Sequence, residues 1–421
     1  MHVPGTARNA ASTRPPATFA REVLSSLTSS AELAGTMSAA ELGAAGSSAE
    51  PSVLGKKALG AEHLAASLSA ERKKRQKSGA LPSIPAISLT AMLDGNDDAA
   101  KAELGQQWDH ACREVGFIKI VDHGVPRDVI DACWKATEQF FDEASLSEKL
   151  SVPQEDGYPY GYVGMAGETL VGSLDKDATK ATAGDLKELF NICLGSDTPA
   201  DDMPAPRWPK LADAAKLAKM KQAFTAYYKA LASLTETLYR LCALALGLPQ
   251  DYFAVKNTQH RNSLRCINYP SQKPPLVPQP GQVRASMHTD YGSLTILRLG
   301  GPYPGGLQVM GANGAWIDVT TTEEENCFVI NLGDLMARWT NDRWLSTPHQ
   351  VINPKDDAAS VARRMSIAYF CNINMDVEVE CIPTCKGQGG AKYEPIVAGA
   401  WLMRKHLQTT SGQLCYEKGQ E

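Results

Sequence analysis

Apolar residues recur at helical spacing in the first part of the globular sequence. Leu104, Trp108 and Val115 lie on one face of a helix, and Gly116 is placed to end it. The run Phe117–Val121 follows at once and is rich in β-branched and aromatic residues. We therefore predict a helix followed by a short strand.

Two further stretches have the same helical period. One follows Pro126, a residue that suits the first turn of a helix, and reaches Phe141. The other lies between Pro209 and Gly247 and carries tyrosine and leucine side chains on one face. Because such a face packs into a core, we expect this second stretch to be a scaffold helix and not a cofactor-binding surface.

After Leu264 the pattern changes to short apolar runs separated by glycine, proline and asparagine turns. The predicted strands are Leu294–Leu299, Gly306–Met310, Trp316–Val319, Cys327–Leu332, Gln350–Asn353 and Arg364–Asn372. Many short strands at this spacing are typical of a β-sandwich or barrel. We predict a mainly β fold with supporting α-helices, and a double-sheet jelly roll is the natural candidate for its core.

The chain changes character near residue 80. Residues 1–80 are rich in alanine, serine, glycine and threonine, so they cannot bury enough apolar area to offset the entropy of ordering. We expect a largely disordered extension. Its first 21 residues contain three arginines and no acid, which fits an organelle transit peptide. A cytosolic tail of biased composition fits about as well.

Composition limits the classes of partner. A net charge of −5 and a pI near 6.0 argue against a nucleic-acid or membrane-surface protein. No apolar run approaches the roughly 20 residues that span a bilayer. The ten cysteines are scattered, which indicates a reducing compartment. We expect a cytoplasmic protein, or a plastid or mitochondrial one if the extension is a transit peptide.

Three residues form a candidate metal centre. His288 and Asp290 are two positions apart, and His349 follows 61 positions after His288. Residues i and i+2 of a strand point to one face, so we expect the first two side chains to converge on one ion, joined by His349 at the start of a later strand. Two imidazoles and a carboxylate leave the opposite face of a metal open for dioxygen and a co-substrate, as an Fe(II) oxygenase requires.

The first half of this triad is weak evidence by itself. With eight histidines and 47 acidic residues among 421, about one carboxylate two positions after a histidine is expected by chance. A surface or core role is the ordinary expectation for each residue taken singly. The three together, in a region of predicted strands, favour a metal site.

Short motifs along the chain resemble the isopenicillin N synthase-like family of Fe(II)/2-oxoglutarate-dependent dioxygenases. Besides the His288 stretch they are IPAISL (84–89), ACREVGF (111–117), DHGV (122–125), DLKELF (185–190), INYP (267–270), GGLQV (305–309), NLGD (331–334) and RMS (364–366). The resemblance covers about residues 83–410 and implies a double-stranded β-helix, or jelly roll. It divides the chain into an extension (1–80), a substrate-side region of helices and strands (81–255), the catalytic core (256–410) and a tail (411–421).

The resemblance also assigns a role to individual residues. Its ligands for Fe(2+) match His288, Asp290 and His349, and its residues that hold 2-oxoglutarate match Arg364, Ser366 and Tyr269. A guanidinium fork suits the distal carboxylate of 2-oxoglutarate, and the hydroxyl adds one more hydrogen bond. The implied reaction uses O2 to oxidise a small organic substrate with release of succinate and CO2. Hydroxylation is the default outcome, with desaturation or cyclisation as variants.

The sequence departs from the family in three places. Gln350 follows His349 where arginine is usual, Ile267-Asn268-Tyr269 replaces the more frequent Asn-Tyr-Tyr, and residues 355–360 lengthen a segment that we expect to be an exposed loop. None of these changes removes a ligand. The first two affect the polar contacts around the co-substrate.

Three alternatives stay open at this point. The same iron site can serve a 2-oxoglutarate-independent oxidase of the isopenicillin N synthase type, in which the Arg-x-Ser pair holds a substrate carboxylate. Two histidines and a carboxylate also bind zinc, but the His-Glu-x-x-His pattern of many zinc hydrolases is missing from the sequence. A non-catalytic binding protein on this scaffold is the third.

The primary substrate is not specified by these motifs. Amino acids, peptides, terpenoids, phenolics and nucleobases all fit the reaction class. Residues 157–162 and 164–175 lie where the family shapes its substrate pocket, although Tyr160 and Tyr162 suit a core equally well. We expect a monomer that binds a small molecule and neither nucleic acid nor membrane.

Overall fold

Helices form where the helical period predicts them. The computed structural model describes residues 83–94, 97–155, 158–170, 183–272, 276–300, 305–322, 325–354 and 363–406. Its helices are α1 (Thr90–Leu93), α2 (Asp98–Glu114), α3 (Arg127–Glu143), α4 (Leu146–Lys149), α5 (Ala214–Ala245) and α6 (Asp334–Trp339). Residues 398–406 are also helical. Asp97 and Asp213 begin α2 and α5, because their carboxylates accept hydrogen bonds from the free backbone N–H groups of the first turn.

Several predictions concern residues outside the described ranges. They are the extension 1–80, the tail 411–421 and the loop at 355–360. The described residues all belong to one compact unit, Gly55–Glu421. The predicted boundaries of the regions stay predictions, and strands from both sides of position 255 share one sheet.

The strands form two large sheets and one small one. They are β1 (Ala86–Ser88), β2 (Phe117–Val121), β3 (Gly161–Val163), β4 (Glu188–Ile192), β5 (Ser263–Tyr269), β6 (Ala285–His288), β7 (Leu294–Gly300), β8 (Leu307–Met310), β9 (Trp316–Asp318), β10 (Phe328–Leu332), β11 (His349–Val351), β12 (Arg364–Cys371), β13 (Glu378–Val379) and β14 (Ile396–Val397). The larger sheet has the order β1-β2-β10-β7-β12-β5-β4-β3. A second sheet has the order β6-β11-β8-β9, and β13 pairs with β14.

One face of the eight-stranded sheet is covered by helices. Leu264 and Cys266 of β5 and Ile296 of β7 lie in the same buried cluster as Phe224 and Tyr227 of α5. Residues of α2 and α3 belong to that cluster too. Since side chains alternate along a strand, the intervening residues of these strands are left to face the other way.

The opposite face of the large sheet packs against the four-stranded sheet. A second buried cluster combines Tyr269 and Leu299 of the large sheet with Ala285, Val309 and Val351 of the smaller one. The two sheets therefore form layers with a shared interior. The protein is sheet-rich with several helices, and the predicted site residues lie on the strands that border this interior or, for Asp290, two residues after one of them.

The predicted strands match β7 to β12 to within two residues at each end. The strands β1, β3, β4, β5, β13 and β14 were not predicted. In β4 and β5, buried polar residues lie among the buried apolar ones and interrupt the apolar pattern. In β4, for example, Glu188 is buried by accepting hydrogen bonds from Tyr162 (2.7 Å) and Asn268 (2.7 Å). Tyr160 and Tyr162 are both buried, as in a core.

The described part of the chain contains nine cysteines, and all nine are free thiols. Within the same residues, no helix has the length and apolar character needed to cross a membrane.

Candidate metal centre

The candidate centre is built on a pair of antiparallel strands. His349, the first residue of β11, lies opposite His288, the last residue of β6. Two steps along β11 to Val351 correspond to three steps back along β6 to Ala285, so β6 contains a bulge. A bulge changes which face a side chain takes, and here it lets Ala285 and His288 both border the interior.

The three predicted ligands are brought together. Their ligand atoms all lie within 4.8 Å of one another. Asp290 Oδ1 is 3.9 Å from His288 Nε2 and 3.8 Å from His349 Nε2. The expectation that His288 and Asp290 share one strand is wrong, because Asp290 lies in the turn after β6. The turn, and not strand alternation, directs its carboxylate to the histidines.

Backbone carbonyls orient both imidazoles. His288 Nδ1 lies 2.7 Å from the carbonyl oxygen of Ser286, and His349 Nδ1 lies 3.0 Å from that of Thr347. Each Nδ1 therefore carries the proton and donates it, which leaves the lone pair on Nε2 free to bind a metal. The ring of Phe117 packs edge-on against His349 at 5.2 Å between centroids and restrains its rotation.

Two donors hold the other oxygen of the carboxylate. Asp290 Oδ2 accepts hydrogen bonds from Thr295 Oγ1 (2.5 Å) and Asn331 Nδ2 (2.7 Å). Burial would raise the pKa of Asp290, but the two histidines and these two hydrogen bonds lower it below its usual value. The carboxylate is therefore ionised at neutral pH and presents Oδ1 alone to the histidines.

The donor set fits a divalent transition metal. Burial, followed by the nearby His349, lowers the pKa of His288 to about 3, so that imidazole is neutral and ready to coordinate. The separations of 3.8 and 3.9 Å exceed hydrogen-bond lengths and leave room for an ion at roughly the 2.1 Å typical of metal–imidazole bonds. Two histidines and one carboxylate with an open side are the ligands of non-haem Fe(II) oxygenases.

The predicted co-substrate residues lie together on neighbouring strands. Arg364 of β12 pairs in register with Tyr269 of β5, and its guanidinium carbon lies 4.8 Å from the centre of the Tyr269 ring. Ser366 Oγ lies 3.4 Å from Arg364 Nη1. Arg364 is 1 % exposed and donates from Nε to the carbonyl of Gly305 at 3.0 Å. A buried, oriented guanidinium of this kind suits a carboxylate ligand.

The neighbouring arginine has a different environment. Arg363 donates to Asp142 Oδ2 (2.6 Å) and Asn268 Oδ1 (2.6 Å) and is partly exposed. The two consecutive arginines thus take separate roles, as their alternation predicts. Only Arg364 lies beside Tyr269 and Ser366.

Sequence reasoning missed the residues that support these ligands. Thr295 and Asn331 carry no signal of their own, because an isolated hydroxyl or amide in a strand has no characteristic spacing. Asp334 joins three segments: its carboxylate accepts from Ser346 Oγ (2.6 Å) and from Lys405 Nζ (2.7 Å), and its backbone N–H donates to the carbonyl of Asp290 (2.7 Å). Asn331 and Asp334 both lie within the NLGD motif, and that motif is the sequence signal by which they could have been found.

Comparison with known proteins decides the family. Residues 84–211 match the family described as the non-haem dioxygenase in morphine synthesis N-terminal, and residues 261–373 match the 2OG-Fe(II) oxygenase superfamily. The chain is 30% identical over 350 residues to the 2-oxoglutarate-Fe(II) type oxidoreductase hxnY of Emericella nidulans, which covers 80% of this chain and 93% of that protein. The chain belongs to the 2OG-Fe(II) oxygenase superfamily. Its isopenicillin N synthase-like membership is likewise confirmed.

Other relatives of this oxygenase agree. A homoarginine-6-hydroxylase of Oryza sativa is 28% identical over 77% of this chain and 96% of its own. The crystal structure of a full-length Neurospora crassa protein in complex with α-ketoglutarate has a TM-score of 0.67 and 33% identity, and the match covers 78% of this chain and 97% of that chain. The same Neurospora protein was also solved with thymine.

These findings establish the activity class. The oxygenase uses Fe(II), O2 and 2-oxoglutarate to oxidise a small organic substrate, with release of succinate and CO2. The family assignment removes the zinc hydrolase alternative.

Proposed function

We propose that His288, Asp290 and His349 hold the Fe(II) of this oxygenase. The observation that carries the proposal is the meeting of one ligand atom from each of the three residues within 4.8 Å. Both Nδ1 atoms and Asp290 Oδ2 are held by other hydrogen bonds. Such outer contacts are what a metal-binding histidine or carboxylate requires for a fixed orientation.

We also propose that Arg364, Ser366 and Tyr269 bind the distal carboxylate of 2-oxoglutarate. The setting of Arg364 supports this role, because its buried guanidinium is oriented by the Gly305 carbonyl and lies beside Ser366 and the Tyr269 ring. The carboxylate would accept from the guanidinium and from the Ser366 hydroxyl. The match to the 2OG-Fe(II) oxygenase superfamily and the likeness to a structure with α-ketoglutarate favour 2-oxoglutarate over a substrate carboxylate at this pair.

The two facing sheets fit a jelly roll, which we propose as the core architecture. The eight-stranded and four-stranded sheets enclose a shared interior, and the site residues border it on β5, β6, β11 and β12. In this arrangement the helix-covered face of the large sheet provides stability, and the interior holds the chemistry.

Hydroxylation is the proposed outcome. When bound, the iron would activate O2 with 2-oxoglutarate as the co-reductant, so that one oxygen atom enters the substrate and the other enters succinate. The chain's own residues orient these groups: Thr295 and Asn331 fix the Asp290 carboxylate, and the carbonyls of Ser286 and Thr347 fix the imidazoles. The buried setting of Arg364 keeps water away from the co-substrate.

The substrate that we propose is a small polar molecule. The relatives named for homoarginine and solved with thymine support this size and polarity. The nine free thiols support a reducing compartment, and the cytoplasm is the proposed location. A monomer is the proposed assembly.

Substrate-stimulated release of succinate tests the proposed function. The purified protein is incubated with Fe(II), 2-oxoglutarate and O2 against a panel of small metabolites. We expect at least one compound to accelerate succinate release by wild-type protein and by His110→Ala, a change on an exposed face of α2. Asp290→Ala should abolish the response, and equal release by Asp290→Ala would refute the ligand assignment.

A further inference from the structure

Four ionised side chains form a cluster beside the proposed iron site. Lys187 Nζ lies 3.0 Å from Glu168 Oε2 and 2.9 Å from Asp185 Oδ2. Arg265 Nη1 donates to Glu168 at 3.2 Å. The side chains of Lys187 and Asp185 are 3% and 1% exposed, whereas those of Glu168 and Arg265 are 19% and 15% exposed. The first two are therefore sealed in, and the second two remain reachable by a small molecule.

The position of Arg265 on β5 places this cluster in the interior that contains the site. Ile267 and Tyr269 of the same strand pack between the two sheets, and Arg265 shares their face because it is two and four residues away from them. Four residues of a strand span about 13 Å. Arg265 thus lies well away from the proposed 2-oxoglutarate carboxylate at Tyr269, along the same inner surface.

A second contact locates Arg265 at the metal end of that surface. Its guanidinium carbon lies 5.4 Å from the centre of the Phe370 ring. Phe370 is the register partner of Thr295, the residue whose hydroxyl binds Asp290. Arg265 and Phe370 therefore lie near the metal ligands.

A third contact places the cluster beside His288. Asp185 Oδ1 accepts hydrogen bonds from the Ser286 N–H (3.1 Å) and from Ser286 Oγ (2.6 Å), two residues before His288. Burial would raise the pKa of Glu168, but Arg265 and Lys187 lower it to about 2, so Glu168 is ionised. His406, whose pKa is lowered by burial to about 4, lies within range of Arg265 and Glu168 and is neutral at pH 7.

The formal charges of the cluster cancel, since two carboxylates oppose two cations. Arg265 and Glu168 can form more hydrogen bonds than they form within the cluster. Within the described part of the chain, Arg265 hydrogen-bonds to other side chains only through Nη1, which leaves the N–H groups of Nη2 as donors. The Glu168 carboxylate can accept more bonds than it receives. Arg265 therefore offers a donor group and Glu168 an acceptor group, in a cluster with no net charge.

A substrate carboxylate fits this cluster poorly. Its attraction to Arg265 would be opposed by repulsion from Glu168, which lies beside the same guanidinium. A neutral amide avoids that repulsion, because its carbonyl can accept from Arg265 while its N–H donates to Glu168. A like charge built next to an attractive group is a recognised means of rejecting a competing ligand.

We propose that Glu168 and Arg265 form the specificity-determining wall of the substrate pocket and select an uncharged substrate that carries an amide-type group. The carbonyl of that group binds Arg265 and its N–H binds Glu168. This inference rests on the proposed iron and 2-oxoglutarate site, because it takes the space beside His288 as the substrate side.

The test is equilibrium binding of matched ligand pairs. Calorimetry on the anaerobic protein loaded with Fe(II) and 2-oxoglutarate compares benzamide with benzoate, and uracil with its 6-carboxylate. We expect the wild type to bind at least one amide, and to bind it at least ten-fold more tightly than its carboxylate partner. Glu168→Gln should shift that ratio at least ten-fold towards the carboxylate, because the cluster then carries a net positive charge.

A matched control separates this effect from a general loss of charge. Glu143 pairs with Lys216 at 2.6 Å on the exposed surface, so Glu143→Gln should keep the wild-type ratio. The inference is overturned if the wild type binds no amide, if it binds both partners equally, or if Glu168→Gln leaves the ratio unchanged. The wild-type ratio decides the matter should Glu168→Gln fail to fold.

The same samples distinguish a failure of the specificity proposal from a failure of the proposed iron site. The complex of Fe(II) with 2-oxoglutarate gives a weak visible charge-transfer band. A normal band without a preference for amides refutes the specificity wall and leaves the iron site intact. A missing band in the wild type refutes the proposed function itself.

Discussion

His288 at the end of β6 and His349 at the start of β11 are directly opposed across an antiparallel pair, with their ring centroids 4.2 Å apart. They are 61 residues apart in the sequence, and the pairing of β6 with β11 brings them together. Strand pairing, with one bulge in β6, therefore fixes the distance between two of the proposed ligands. The consequences can be tested one contact at a time.

The first prediction concerns the hydroxyl that holds the carboxylate ligand. Thr295→Val removes the 2.5 Å hydrogen bond to Asp290 Oδ2 and leaves Asn331 as the only donor described there. Loss of such an outer contact typically weakens metal binding about 10- to 100-fold. Anaerobic Fe(II) titration measures the change. Thr237→Val, at a partly exposed position of α5, should bind Fe(II) as the wild type does.

The second prediction separates two consecutive arginines. Arg364→Lys keeps the charge but loses the fork that fits a carboxylate, and a charge-assisted hydrogen bond contributes about 1.5–3 kcal/mol. We expect the dissociation constant for 2-oxoglutarate to rise roughly 10- to 100-fold. Arg363→Lys is the control, because Arg363 binds Asp142 and Asn268. Equal losses in the two variants would contradict the assignment of Arg364.

The third prediction concerns stability and pH. Glu168 has a pKa of about 2 in the folded protein, because Arg265 and Lys187 outweigh the effect of burial. An unfolded glutamate titrates near pH 4.3, so its stabilising contribution, on the order of 3 kcal/mol, is present above about pH 5 and is lost as the pH falls towards 2. Urea unfolding should show Glu168→Gln less stable at pH 7, with the gap about 1 kcal/mol narrower at pH 3.5. A gap that does not change with pH would disprove this account.

The fourth prediction concerns the helical residues 398–406. Lys405 pairs with Asp334 at 2.7 Å, and the N–H of Asp334 binds the carbonyl of Asp290 at 2.7 Å. Lys405→Met should therefore loosen the turn that carries Asp290 and weaken Fe(II) binding by a few-fold, less than Thr295→Val. Arg404→Met is the control for the effect on Fe(II) binding, because the exposed Arg404 lies over the Trp401 ring. Equal effects of both changes would indicate general loosening of the helix.

Much of the fold could be predicted from the sequence. The helical period marks α2, α3 and α5 because each buries one apolar face against the large sheet. The runs that became β7 to β12 are recognisable because they are short, apolar and bounded by turn residues. β4 escaped prediction because Glu188 and Asn191 are buried through hydrogen bonds and not through apolar contact.

The sequence predicted which three side chains come together at the candidate site, but not the residues that hold them in place. His288, Asp290 and His349 follow a known ligand pattern, and Arg364 with Ser366 follows a second one. The register of the sheet brings three further residues to the site: Thr295, Asn331 and Arg265. No spacing within the sequence encodes that register. Even the convergence of His288 and Asp290 had a different cause from the one expected, since it depends on a bulge and a turn.

Anaerobic titration with Fe(II) and 2-oxoglutarate tests the central claim most directly. The wild type should develop the weak visible charge-transfer band of the chelate, and His110→Ala on the exposed face of α2 should develop it too. His288→Ala should give no band, because it removes one of the three atoms that meet within 4.8 Å. A band of the same intensity in His288→Ala would show that iron and 2-oxoglutarate bind elsewhere.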